Sequence, residues 1–258
     1  MKLNSGKVSV CKKAPVAFLY FLGIVVGFVV CARGAPGAES SAEQLIAGLG
    51  KKAAVMDNSE GRLVKMGPGI IPLLLEALDN IRKRDAVVRV FNRMGCDAAP
   101  GLVKLLENDE ARTKAGSMLF QAVSPDCVKQ IGAYLACMDN AAFGHYCGTA
   151  LVRTSGPKAK SWLPELKKRM TAGDADSRAY VIAAIGEMGK KASSAAADLI
   201  AALKDPAPIA RLSAVVAIRK TGVKSQAVRD ALAAAAVDAD GEVRREAGEL
   251  LKTLANSE

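Results

Sequence analysis

Between Asp174 and Leu254 apolar residues recur at helical spacing, and the pattern then repeats. Val181, Ala184, Ile185 and Met188 fall at i, i+3, i+4 and i+7, which places them on one buried helix face. The same face returns 33 residues on as Ala214, Ala217 and Ile218, and again as Ala247, Leu250 and Leu251. Arg178, Arg211 and Arg244 keep that offset, so a charged position travels with the apolar ones. Gly189 and Gly222 close the first two of these helices, where a chain reversal calls for positive φ. A second apolar helix is predicted after each Gly, over 195–203 and 228–236, with Asp205 and Asp238 as turn and N-cap signals for the next unit. Neither helix of such a pair can bury its stripe alone, so the unit must stack on its neighbours.

Traced backwards, the phase runs through Gly67, Gly95, Val123, Gly156, Gly189, Gly222 and Ala255, in steps of 28, 28, 33, 33, 33 and 33. Arg84, Val87, Val90, Phe91, Met94 and Gly95 reproduce the spacing of Arg178 through Gly189. Pro72, Pro100 and Pro164 open the second helices, where the missing N–H has no acceptor to lose. The lone histidine, His145, falls in the slot that Arg178 and Arg112 fill 33 residues to either side.

This pattern resembles the HEAT repeats in their shorter form, on the Arg near the start of the first helix, the Ala-rich packing positions, the closing Gly and the Pro of the second helix. It is similar to exported bacterial proteins that contain HEAT repeats. The resemblance implies an all-α, right-handed α-solenoid of stacked antiparallel helix pairs, about six of them with end caps. It also implies that the repeat Arg reaches a neighbouring acid or a helix-end carbonyl. One solenoid fold hosts many functions, so activity does not follow from it.

The chain opens differently. Met1–Lys13 carries four lysines and no acid, Ala14–Ala32 is almost wholly apolar, and Arg33–Ala38 is small and turn-like, which reads as a secretory signal cut near Gly34–Ala38. Retention of 14–32 as a single membrane anchor is the alternative, and in both cases the lysines keep the N-terminus inside and the solenoid outside. Three parts are therefore expected: residues 1–34 as signal or anchor, 35–50 as a linker and capping helix, and 51–258 as the solenoid with a terminal capping helix. Within the solenoid, 51–66 is the least regular stretch, with Gly61 inside its would-be helix.

Export changes the reading of charge. The chain's formal +10 includes five cations of residues 1–34; 36 basic residues less those five leaves 31 against 26 acidic. The remaining excess is no nucleic-acid footprint. Lys158, Lys191 and Lys224, each just after the closing turn, form a candidate edge for an anionic partner, thickened by Lys160 and Lys190. Solvated turn lysines are the plain alternative. Export also permits disulfides. Cys96 with Cys127 and Cys137 with Cys147 are the candidate pairs, and four small buried thiols are the other reading.

No catalytic residue, metal site or cofactor site is expected: the chain has no Gly-x-Ser-x-Gly, phosphate-binding glycine loop, His-Glu-x-x-His or Cys-x-x-Cys. His145 lacks a second ligand at helical spacing, and Trp162 is expected to pack against the adjacent unit. The function expected is a monomeric, non-catalytic scaffold of the cell envelope that binds another protein, an acidic one at the lysine edge, or an anionic envelope surface. The alternatives are an enzyme-associated HEAT-like protein, of the bilin lyase or DNA glycosylase kind, and a membrane-anchored adaptor.

Overall fold

The computed structural model describes residues 36–50 and 53–256, and every regular element among them is helical. The export segment expected over 1–34 lies outside the described residues. Helix α1 (Pro36–Gly48) covers the first unit. Six helix pairs follow: α2 (Ala53–Met66) with α3 (Ile71–Ala77), α4 (Ile81–Met94) with α5 (Ala99–Leu105), and α6 (Arg112–Ala122) with α7 (Ile131–Cys137). Then come α8 (Gly144–Thr154) with α9 (Leu163–Arg169), α10 (Ala175–Glu187) with α11 (Ala196–Ala202), and α12 (Pro208–Thr221) with α13 (Gln226–Ala235). Helix α14 (Gly241–Ala255) ends the array.

The pairs stack as a solenoid. Each first helix touches the first helix of the next unit, from α2 through α14. One apolar core runs the length of the stack from Ala42 to Leu254, as expected when no unit can bury its own stripe. Glycines let successive first helices approach closely. A Cβ on Gly186 would lie 2.8 Å from the Ala217 Cα, and one on Gly148 would overlap the Tyr180 ring.

The turns depart from the sequence expectation in four ways. Short 3-10 segments intervene between the paired helices, at Gly67–Ile70, Gly95–Ala98, Val128–Gln130, Pro157–Trp162 and Gly189–Ala195. The prolines then fall in the first turn of α3, α5 and α9, as predicted. Gly67, Gly95, Gly189 and Gly222 adopt positive φ, but Gly156 does not: its φ is −84°, and Pro125 of the preceding unit packs against it. Asp205 and Asp238 are not N-caps either. Ala207 and Asp240 hold those positions, and the two aspartates accept the Ala207 and Asp240 N–H groups from the turn before. Finally, α2 runs unbroken through Gly61, and Leu63 packs into the core.

Candidate interaction surface

Where it is present, the repeat Arg staples its unit to the one before. Arg84 Nε donates to the Leu78 carbonyl and Arg112 Nε to that of Leu106, at 3.2 and 2.9 Å. Arg178, Arg211 and Arg244 donate through Nη1 to the carbonyls of Gly173, Asp205 and Asp238. Each accepting carbonyl closes the preceding second helix or its turn, so one guanidinium fastens it to the new first helix.

In the last units the same Arg also reaches forward. Arg178 grips Asp205 through Nε and Nη2 at 2.7 and 2.8 Å, and Arg211 grips Asp238 at 2.8 and 2.7 Å. These hydrogen bonds hold both carboxyls below the usual carboxylate range and push both guanidinium groups further up. Asp174, which caps α10, is also lowered, chiefly by the Ser177 N–H. The pairs are structural ties at the ends of their units, and Arg178 with Asp205 also lines the groove between α9 and α11.

His145, in the Arg slot of the fourth unit, makes no such staple. Its ring lies tilted against that of Tyr146, with centroids 4.0 Å apart. Both candidate disulfides are closed: Cys96–Cys127 with Cα atoms 5.0 Å apart and Cys137–Cys147 with 6.0 Å.

The candidate lysines are exposed on turns. Lys158 lies in the 3-10 segment before α9 and Lys191 in the one before α11, and these two segments touch. Lys224 is in the turn between α12 and α13. Lys158 is engaged with Asp126 of the preceding turn at 2.5 Å, so its charge is partly met within the chain. Trp162 packs over Gly132 of α7, with the ring 3.1 Å from where a Cβ on Gly132 would be. Its outer edge, with Pro164, Glu165 and Lys168, lines an open groove of ≈ 660 Å³ between α7 and α9. A second groove of ≈ 440 Å³, floored by Met170, Ala201 and Pro206, opens between α9 and α11.

One tie was not foreseen from the sequence. Glu60 of α2 has a side chain only 6% exposed, and Arg89 of α4 holds it at 2.8 Å with Arg93 at 3.6 Å. Both arginines fall among closely spaced basic residues, Arg82, Lys83, Arg84, Arg89 and Arg93, which on charge alone read as a solvated face. A buried carboxylate one unit earlier, with no motif around it, is what holds these half-exposed side chains.

The model of the family described as HEAT repeats matches residues 163–252. No curated protein matches the chain. Among solved structures, YibA of E. coli is 20% identical over 87% of this chain and 81% of its own, with a TM-score of 0.47. A designed armadillo repeat protein in complex with the peptide (KR)4 is 15% identical, covering 71% of this chain and 98% of its own at a TM-score of 0.45. Human deoxyhypusine hydroxylase, in complex with glycerol, is 17% identical, covering 86% and 98% at a TM-score of 0.37. With 163–252 matched and helix pairs stacked throughout the described residues, the chain carries HEAT repeats over 163–252 within an all-α solenoid.

Proposed function

We propose that the chain is a non-catalytic scaffold of the cell envelope that holds a protein partner along its stacked helices. The observation that carries this reading is the pair of closed disulfides in the middle of the solenoid, because such bonds persist in oxidising compartments and are rare in the cytosol. The basic and apolar opening of the chain supports the same location. A solenoid offers long surfaces and open grooves, which suit the capture of an extended partner.

The partner's charge follows from the turn edge. Lys191 and Lys224, with Lys190 and Lys160 beside them, give the edge a cationic rim that an acidic protein or an anionic envelope surface complements. Crosslinking in cells followed by N-terminal sequencing of the mature chain tests both parts. An N-terminus between Gly34 and Ala38, and crosslinks that fall away in the triple variant Lys158→Glu, Lys191→Glu, Lys224→Glu, are expected. An intact N-terminus on a cytosolic protein overturns the location. Undiminished crosslinking by the triple variant moves the contact from the lysine edge to the grooves.

A further inference from the structure

The two disulfides sit at two places where the repeat loses its own ties. The first gap is in the Arg slot. Arg84, Arg112, Arg178, Arg211 and Arg244 each fasten the end of a second helix to the following first helix through a carbonyl five or six residues back. At the fourth unit that slot holds His145, whose ring turns to Tyr146. Helix α8 also starts without a side-chain cap, since Phe143 is its N-cap residue. The junction the Arg would staple is α7 to α8, and it is this junction that Cys137–Cys147 crosses.

The second gap is at the turn glycine. Gly67, Gly95, Gly189 and Gly222 close their first helices with positive φ, whereas the third unit has Val123 at that phase, with extended backbone at φ −79° and ψ 142°. The chain therefore takes a wider path through 124–130. Cys127 gathers that path: its N–H donates to the Ser124 carbonyl, its Sγ accepts from the Ser124 N–H, and its disulfide reaches Cys96, next to the Gly95 turn of the unit before. Gln130 adds a hydrogen bond to the Cys96 carbonyl at 3.2 Å. Both gaps lie before residue 163, outside the stretch that matches the repeat family, and all four bridged cysteines lie there too.

We infer that the disulfides replace the missing Arg staple and the missing turn glycine, so that the third and fourth units close only where thiols are oxidised, while the units from α10 to α14 hold without them. The scaffold thus has a redox-conditional middle joined to a redox-indifferent end. This goes beyond the scaffold reading and depends on the geometry of the chain alone, whichever partner it holds. Formation of the two cystines removes two hydrogens from each thiol pair, passed to a disulfide-exchange oxidant such as oxidised glutathione, and dithiothreitol reverses it by exchange.

Amide hydrogen exchange on the purified chain, oxidised and then treated with dithiothreitol, tests the inference, with thiols counted by mass in both states. On reduction, exchange across 112–154 should rise about thirtyfold, the factor a lost disulfide of ordinary strength implies, while 175–254 changes less than about twofold. A second arm uses the variant Cys137→Ser, Cys147→Ser with and without His145→Arg. The added Arg should restore most of the protection of 144–154, since it supplies the staple that the other units use. Equal exchange in both redox states, or equal loss in both halves, overturns the inference. So does free thiol at all four cysteines in the oxidised preparation, or no recovery with His145→Arg. If the serine variant fails to fold, the reduction arm on the folded protein still decides the first part.

Discussion

Arg178 holds Asp205 by two hydrogen bonds at a repeat boundary, and Arg211 holds Asp238 in the same way 33 residues later. The recurrence shows that the tie belongs to the stacking and not to one accident of packing. Arg178 and Asp205 are 14% and 9% exposed, so removing one partner strands the other out of water. Asp205→Ala should cost about 3 kcal/mol by urea unfolding, since it also frees the Ala207 N–H. Glu242→Ala, whose link to Arg245 is exposed, should cost under about 1 kcal/mol and serves as the control. A similar loss at both would deny the boundary tie its role.

Acid should loosen the same boundaries. Asp174, Asp205, Asp238 and Glu246 all have folded-state values below the usual carboxylate range, the first through the Ser177 N–H and the others mainly through their arginines. A lowered folded value means stability that is fully present above the unfolded value, near 4 for these groups, and is lost as pH falls through the folded one. The melting temperature should therefore hold steady from neutral pH down to about 4.5 and drop below about 4. In Asp205→Asn, Asp238→Asn the acid drop should be shallower, from a lower plateau. An unchanged slope in that double variant would put the acid sensitivity elsewhere.

Much of this solenoid could be read before any coordinates, and the reasons are local. A constant offset of 33 aligns Arg178, Arg211 and Arg244 because each meets the same carbonyl geometry, so the repeat phase carries structural information directly. The 3-10 segments were not legible, since Gly189–Ala195 reads equally well as a turn running into a helix. Gly156 misled for a different reason: it is a packing glycine against Pro125, and glycine has two uses that look alike in sequence. Glu60 stayed hidden because its partners are far along the chain and it obeys no spacing. The cysteines could be paired on reach alone, while whether they bond depends on Cα separations that only the folded chain supplies.

Two helix glycines should respond oppositely to the same change. Gly186 of α10 faces the backbone of Ala217, which cannot move aside, so Gly186→Ala should destabilise by roughly 1–3 kcal/mol through forced separation of α10 and α12. Gly248 of α14 has nothing within 4 Å of the added methyl. There Gly248→Ala removes backbone freedom from the unfolded chain and should stabilise by about 0.5–1 kcal/mol. Thermal melts of the two single variants check the contrast, and two shifts of the same sign would refute the close helix approach.

The Glu60 cluster should be asymmetric in what its members cost. Arg89 and Arg93 have side chains 46% and 44% exposed, so without Glu60 they can turn to water, and Glu60→Ala loses hydrogen bonds and some packing. The carboxylate has no such escape at 6% exposure. Removing both arginines leaves a buried charge that must be desolvated unpaired or protonated. Arg89→Ala, Arg93→Ala should therefore cost about 3–5 kcal/mol, against about 1–2 for Glu60→Ala. Combining all three should recover stability relative to the double arginine variant, because the stranded charge is gone. Urea unfolding of these variants reads the order directly. If the triple variant is the least stable of the set, Glu60 is not dependent on the two arginines, and the contact between α2 and α4 must be held by its apolar residues alone.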